Sequence, residues 1–295
     1  MTPPESTDQA RAQFRTLQLR QRKCWWIVFC FCVAAVAVSF ALGGPSYALW
    51  AAIAGIVAIV IATNRATRIL SRFYKQAIVP EIASQGCENG RYAPDAGISE
   101  QLFRESNLFR SPDRYNSEDL IEGCIGQTPF YFAEVHAQER RTTHTKNGTR
   151  TTWVDIFRGF FFVADFNKHF QGQTTLVPNY WGSKWLAGKD RVQLENAELM
   201  KHLLVCSTDQ VEARYLLTPV LMERIMTLWH RHPDRLSISF TASNIIVAIS
   251  ASGNHYEASL WRPIERCIER DTRVVRELTS IVEELNMNTR IWSKA

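Results

Sequence analysis

The stretch DIFRGFFFVADFNKHF, residues 155–170, carries six phenylalanines among five charged or titratable side chains and decides much of the fold. In an extended chain, Phe157 and Phe161 fall on one face while Phe160 and Phe162 fall on the other. A strand that is apolar on both faces is covered on both faces. A membrane-inserting loop would carry its apolar residues at a tip, and the nearest tip here is the polar TKNG. The pattern therefore predicts a buried, central strand.

The residues upstream predict a β-hairpin partner for this strand. The segment TPFYFAEVHAQERR is strand-like, and Asn147-Gly148 is typical of a two-residue type I′ turn, which needs positive φ at both positions. With these two residues in the loop, Arg140 would face Asp155 as a complementary charge pair. In the same register Phe132 would face Val163.

The rest of the chain after residue 90 alternates between strand-like and helix-like segments. Short β-rich runs and helical patterns predict an α+β fold, with a mixed, mainly antiparallel sheet and flanking helices. Thr218 followed by Pro219 is typical of a helix start, and residues 262–287 have the apolar stripe of a long amphipathic helix. The predicted strands are LIEGCIG, QTTLVP, RVQLE, LVCS, RLSISF and IIVAIS. The other predicted helices are NAELMKHL and SEQLFRESNLF, which opens with Ser99 as a candidate N-cap.

Two uncharged runs near the N-terminus predict membrane spans. CWWIVFCFCVAAVAVSFAL (residues 24–42) would extend about 28 Å as a helix, which is close to the roughly 30 Å hydrocarbon core of a bilayer. YALWAAIAGIVAIVIAT (residues 47–63) follows after GGPS, which interrupts a helix and predicts a hairpin of two spans. The alternatives are buried soluble helices or a signal peptide cleaved after SFA, although the second run would still anchor the cleaved product.

Charges around these runs predict the orientation. Five basic residues precede the first run within residues 11–23, four follow the second within residues 65–75, and the connecting loop has none. The positive-inside rule then places both flanks, and both termini, in the cytoplasm of a multi-pass inner-membrane protein. We therefore expect a basic cytoplasmic N-terminus (1–23), a two-helix transmembrane hairpin (24–63), a stalk (64–90) and a cytoplasmic α+β domain (91–295).

The basic balance of the chain belongs to its membrane-proximal part. The net charge is +5, but residues 1–80 carry nine basic side chains against Glu5 and Asp8, which leaves −2 for the remainder. This distribution is typical of membrane flanks and disfavours a nucleic-acid partner. The expected partners are the lipid bilayer and a protein that the sequence does not identify, and the sequence leaves the oligomeric state open.

Patterns of catalysis or metal binding are weak in this sequence. It has no G-x-S-x-G, H-E-x-x-H, G-x-G-x-x-G or C-x-x-C motif, and GSKWLAGKD has the wrong spacing for a phosphate loop. His230 and His232 are two residues apart, so they point to different sides of a helix end. Four hairpin residues could form an acid–base pair, although cross-strand ion pairs are commoner: Glu134, Asp155, Arg158 and Asp165. The sequence leaves any catalytic residue unknown, and we predict no cofactor-binding or metal-binding residue.

Six ordered blocks carry a resemblance to a known family: RYAPDAGIS (91–99), FRESNLF (103–109), DRYNSEDLIEGCIGQT (113–128), FAEVHA (132–137), FRGFFFVADFNKHFQGQT (157–174) and STDQVEARYLLTP (207–219). On these blocks, residues 60–292 resemble uncharacterised bacterial membrane proteins catalogued only as a domain of unknown function. The resemblance implies two N-terminal spans followed by one cytoplasmic α+β domain. It implies no activity, ligand or catalytic residue.

These observations favour a membrane-tethered cytoplasmic module that binds a protein or lipid headgroups at the inner membrane. The alternative is an enzyme that acts on a membrane-associated substrate, with the loop at residues 178–189 as its candidate site. A transporter is disfavoured because residues 24–42 and 47–63 contain no charged side chain, and such side chains within the spans mark ion and substrate pathways.

Overall fold

The computed structural model describes residues 7–145, 148–179, 190–285 and 287. The chain divides into two compact units. Unit 1 comprises residues 1–82 and 254–273, and unit 2 comprises residues 83–253 and 274–295. The two units are defined by the contacts within the chain. They do not test the four-part division predicted from the sequence, which stays a prediction.

Unit 1 is dominated by α1 (Thr7–Ala77), which is broken at Gly44. Gly44 has a φ of 75°, a non-helical value that glycine adopts without strain. Pro45 follows it, and a proline at this position disrupts a continuous helix. The indole Nε1 of Trp25 donates a hydrogen bond to Thr63 Oγ1 at 2.9 Å. The parts of α1 before and after Gly44 therefore contact one another.

Unit 1 also contains a loop at residues 254–263 and the first half of α7 (Ile264–Glu284). The side-chain amide of Gln18 donates to the backbone carbonyls of Ser259 and Arg262, both at 2.9 Å. The hydroxyl of Tyr74 donates to the fully buried carboxylate of Asp271 at 2.8 Å. Residues more than 190 positions apart thus fix α1, the loop and α7 to one another within this unit.

Unit 2 is an α+β fold built on one eight-stranded sheet, in the order β1-β2-β3-β4-β8-β7-β5-β6. Every described strand pairing is antiparallel, so the predicted parallel component is wrong for this part of the chain. The strands are β1 (Glu88–Ala93), β2 (Arg114–Ile125), β3 (Thr128–Thr145), β4 (Gly148–Asp165), β5 (Thr174–Pro178), β6 (Leu203–Ser207), β7 (Leu236–Thr241) and β8 (Asn244–Ser250).

The flanking helices begin where capping residues predict. Ser99 Oγ accepts a hydrogen bond from the amide of Leu102 at the start of α3, and Thr218 Oγ1 accepts from Leu221 at the start of α6. The helices are α2 (Val79–Gly86), α3 (Glu100–Glu105), α4 (Ala197–His202), α5 (Gln210–Leu216), α6 (Pro219–Arg231) and the second half of α7. The predicted strand RVQLE is reduced to a single bridge between Arg191 and Cys206.

The phenylalanine-rich stretch is confirmed as a buried central strand. Its residues 155–165 form the second half of β4, which lies between β3 and β8. Phe161 packs on one face beside Phe103, with ring centroids 5.7 Å apart. Phe162 packs on the other face, 5.5 Å from Phe130. Both side chains are fully buried, so each face of the strand is covered as its composition requires.

The predicted register of the hairpin is wrong. Gly148 pairs with Thr145 and opens β4, whereas Asn147 lies outside the described residues. Asp155 consequently faces Gln138, and the predicted pair with Arg140 does not form. Further along, Ile156 is an extra residue in β4, and this bulge shifts the pairing by one position. Turn rules count loop residues only, so they cannot foresee a bulge within the strand.

Candidate functional site

The long hairpin extends beyond the rest of the sheet. Strand β2 pairs with β3 only as far as Gln138, and β8 pairs with β4 only from Gly159 onward. Residues 139–145 and 148–157 therefore form a two-stranded ribbon, called here the ribbon. Its exposed residues are Arg140, Arg141, Thr142, Thr143, His144, Gly148, Thr149, Arg150, Thr151, Trp153 and Asp155.

Local pairs hold the ribbon together without a hydrophobic core. Thr142 lies opposite Thr151, and such β-branched pairs favour a strand conformation. The guanidinium of Arg114 lies 3.5 Å from the centroid of the Trp153 ring, within the range of a cation–π contact. Trp153 remains 37% exposed. An isolated two-stranded ribbon is marginally stable in water, so these contacts and the sheet below must support it.

The outer part of the ribbon is cationic. From position 140 to position 153 the sequence contains three arginines and one lysine, and no acidic residue. The acidic residue just before this stretch, Glu139, is already paired with Arg141 and lies 3.9 Å from Arg110. The ribbon therefore presents positive charge to its surroundings. The basic residues are evident in the sequence RRTTHTKNGTR, whose turn residues predict a hairpin but not a binding surface.

A polar cluster lies where the ribbon joins the sheet. Asp155 Oδ1 lies 2.8 Å from His136 Nε2 and accepts a hydrogen bond from Gln138 Nε2 at 2.8 Å. These hydrogen bonds, His136 first, lower the pKa of the Asp155 carboxyl, and the nearby charge of Arg158 acts in the same direction. A carboxylate can orient a histidine for acid–base chemistry, but nucleophilic catalysis needs a third group within reach of the histidine. Among the described residues, the hydrogen-bond partner of the His136 ring is Asp155.

The four hairpin residues considered for acid–base chemistry do not converge. Asp155 bonds to His136 and Gln138, while Glu134 is buried within the sheet. Asp165 lies at the far end of β4, where its carboxylate accepts a hydrogen bond from the amide of Asn167 at 3.1 Å. This contact is typical of an Asx turn and has a structural role.

The two helix-end histidines have separate partners. His230 Nε2 lies 3.5 Å from a carboxylate oxygen of Glu198, and His232 Nε2 lies 3.3 Å from one of Glu277. Burial lowers the pKa of His232. The described residues contain no group of three or more His, Cys, Asp or Glu side chains that could hold a metal ion. Most of the loop at 178–189 lies outside the described residues.

A cavity of about 530 Å³ lies at the opposite end of β4 from the ribbon. Its polar lining comes from neighbouring strands and includes Arg91, Glu122, Tyr131, Asp165 and Asn244. Burial raises the pKa of the Tyr131 phenol, so this group stays neutral near pH 7. Sequence reasoning missed the cavity because it did not predict β1, which supplies one wall.

The uncharged part of α1 exposes its apolar side chains. Leu42 is 85% exposed and Trp50 is 72% exposed. The helix is long and apolar enough to cross a membrane, and its most apolar stretch contains no residue that is buried within the protein. Folding therefore leaves this apolar surface uncovered.

The fold and these surfaces define an α+β domain protein with one long apolar N-terminal helix. Residues 155–287, which include the second half of β4, strands β5 to β8 and helices α4 to α7, match the model of a family described as "Protein of unknown function (DUF3137)". This match confirms, for that part of the chain, the resemblance to an uncharacterised family. No curated protein matches the chain.

A solved structure shows a weak likeness. It is the crystal structure of the mycobacterial trehalose monomycolate transport factor A, TtfA, which is 12% identical, with a TM-score of 0.35. The match covers 72% of this chain and 94% of that chain. A likeness at this level says nothing about what the present chain binds.

Proposed function

We propose that the chain is a membrane-tethered interaction protein. Residues 24–63 form a transmembrane helical hairpin in the inner membrane, and unit 2 binds a partner with anionic groups through the ribbon. The observation that carries the proposal is the long uncharged, apolar stretch of α1, many of whose side chains are exposed. It is supported by the cationic ribbon.

The anchor follows from the cost of leaving this surface in water. Burial of apolar area is worth about 25 cal/mol per Å², and a bilayer offers that burial along both parts of α1. The break at Gly44 gives the chain a turn between two spans of suitable length. Arginines and lysines flank both spans and the turn has none, which favours cytoplasmic termini.

Two measurements test the anchor. We expect the protein to stay in the membrane pellet after alkaline carbonate extraction. In a background without the seven native cysteines, Ser46→Cys should react with an impermeant maleimide in intact cells, whereas Gln210→Cys should react only after lysis. Release by carbonate would contradict the anchor, and labelling of position 210 in intact cells would contradict the orientation.

The ribbon is the surface best suited to the partner. Its described outer part, residues 140–145 and 148–153, has three basic residues and no acidic one, and no described strand pairs with the outer edge of residues 149–157. Backbone groups at such an edge accept an added strand, and the arginines attract carboxylates or phosphates. A protein segment rich in acidic residues satisfies both features, whereas lipid headgroups satisfy only the second.

Site-specific photo-crosslinking in native membranes tests this assignment. A photoreactive residue at Thr143 or Thr151, on opposite faces of the ribbon, should give a discrete adduct, whereas one at exposed Gln210 should not. The adduct should be lost when Arg140, Arg141 and Arg150 are replaced by glutamine. It should survive when three exposed arginines elsewhere in unit 2 are replaced instead: Arg191, Arg214 and Arg235. Equal adducts at all positions, or none on the ribbon, would contradict the assignment, and the adduct mass separates protein from lipid.

A second candidate function rests on the cavity at the other end of β4. Its volume of about 530 Å³ lies within the usual range for small-ligand sites, and its lining combines charges with a neutral phenol. An enzyme acting on a membrane-associated substrate would use this cavity. Replacing Glu122, an exposed wall residue, should then abolish activity in native membranes without lowering the melting temperature. An unchanged activity would reject this candidate.

A further inference from the structure

We propose that Trp261, in the loop at residues 254–263, is an additional contact with the membrane interface. This inference rests on the proposed membrane anchor and extends it to a residue about 200 positions further along the chain. The occupant of the Trp261 surface would be the headgroup region of the bilayer.

Contacts within unit 1 fix the level of Trp261 along α1. The Trp261 ring lies 5.0 Å from that of Trp25, at a right angle, and 6.5 Å from that of Trp26. Trp25 in turn hydrogen-bonds to Thr63. Trp25 is the second residue of the first uncharged run and Thr63 is the last residue of the second. Trp261 therefore lies where both uncharged runs end and the basic flanks begin.

The loop backbone is held at this level by built contacts. Arg22 donates from Nε to the carbonyl of Leu260 at 2.8 Å, and from Nη2 to the carbonyl of Trp261 at 3.0 Å. Gln18, one turn earlier on α1, donates to the carbonyls on either side of this pair. Because Arg22 and Gln18 bind backbone atoms, they orient the loop. The Arg22 guanidinium also lies 5.8 Å from the centroid of the Trp261 ring, yet this ring stays 47% exposed.

The exposure of the ring points to an external partner. Leu260 is buried, as expected for a residue that only packs the loop onto α1. Trp261 is 47% exposed and Trp26 is 51% exposed. An indole has a large apolar body and a polar N–H, which suits the boundary between hydrocarbon and headgroups. Arg262 beside it is also exposed and adds a cation that fits lipid phosphate.

Depth-dependent quenching tests the inference on the full-length chain. A fluorescent amino acid is placed at position 261, at position 26 as the membrane reference, or at exposed Asn254 in the same loop. The protein is reconstituted in phosphatidylcholine–phosphatidylglycerol nanodiscs, with and without lipids brominated near the headgroup. We expect position 261 to lose as much fluorescence as position 26, and position 254 to lose none.

The outcomes separate this inference from the anchor. Quenching at position 26 but not at position 261 would overturn the role of Trp261 and leave the anchor intact. Absence of quenching at both positions would overturn the anchor and the inference together.

A second variant guards against disturbance by the fluorophore. Trp261→Phe should reduce the part of the intrinsic fluorescence that brominated lipid quenches, while Trp229→Phe should not, because Trp229 is 8% exposed on α6. Equal effects of the two substitutions would also overturn the inference. A protein partner or a second copy on this surface would show as protection of position 261 from brominated lipid, which likewise contradicts it.

Discussion

Replacing Phe162 by alanine tests whether the two-faced strand β4 is the source of stability in unit 2. Phe162 is fully buried, and its ring stacks 5.5 Å from Phe130 and 6.4 Å from Phe132. A phenylalanine buries about 150–250 Å², which is worth about 4–6 kcal/mol at about 25 cal/mol per Å². Because alanine retains part of that area, we expect a loss of about 3–5 kcal/mol.

Native-state hydrogen exchange measures this loss locally in the detergent-solubilised chain. The slowest amides of β3 and β4 should lose about two to four orders of magnitude in protection, since about 1.4 kcal/mol corresponds to a factor of ten. Trp153→Ala is the matched control, because it removes a larger aromatic ring from the same strand. Trp153 lies on the exposed ribbon, and we expect its removal to cost about 1 kcal/mol. Equal losses of protection for the two variants would refute the assignment of the core to this part of β4.

Three further substitutions have defined outcomes. Gly159→Ala should cost about 3 kcal/mol, because Gly159 has a φ of +152° and an added Cβ would lie 2.1 Å from a backbone carbonyl oxygen. As a control, Gly126→Ala should lower the melting temperature less, because a Cβ at Gly126 would point into open space. Burial lowers the pKa of His232, so on acidification this imidazole is protonated in the unfolded chain before it is protonated in the folded one. The free energy of unfolding should therefore fall as the pH drops below about 6.5, and His232→Gln should flatten that dependence in thermal unfolding. Tyr74→Phe leaves the buried Asp271 carboxylate without its hydroxyl donor, and calorimetry should show a loss of about 1–3 kcal/mol; an unchanged melting temperature would contradict this role.

Sequence patterns predicted those parts of the fold that depend on neighbouring residues. Alternation placed the phenylalanines of β4 on two covered faces. Capping rules located the starts of α3 and α6 at Ser99 and Thr218. Gly44 and Pro45 located the break in α1. Each of these features is decided within a few residues, where backbone geometry and burial leave few choices.

The errors arose where a distant partner decides the conformation. Strand β1 has the unremarkable sequence ENGRYA and exists because β2 offers an edge to pair with. The bulge at Ile156 lies opposite the junction between Ala137 and Gln138, and no local sequence pattern predicts it. The pairing of Thr145 with Gly148 at the hairpin end sets which residue faces Asp155, so the predicted register missed the polar cluster at the ribbon base.

Polar side chains carry the long-range information that hydrophobic patterns lack. In the sequence, Gln18 is one more polar residue in a basic flank. In the structure, its side-chain amide donates to backbone carbonyls of a loop some 240 residues further along the chain. That loop contains Trp261, whose immediate neighbours in the sequence are one apolar residue, Leu260, and one charged residue, Arg262. Only the contacts to Trp25 and Arg22 give Trp261 a position relative to the uncharged runs. The boundaries of an uncharged run can thus be derived from composition, but a distant residue that lies beside its end is revealed only by the contacts that hold it there.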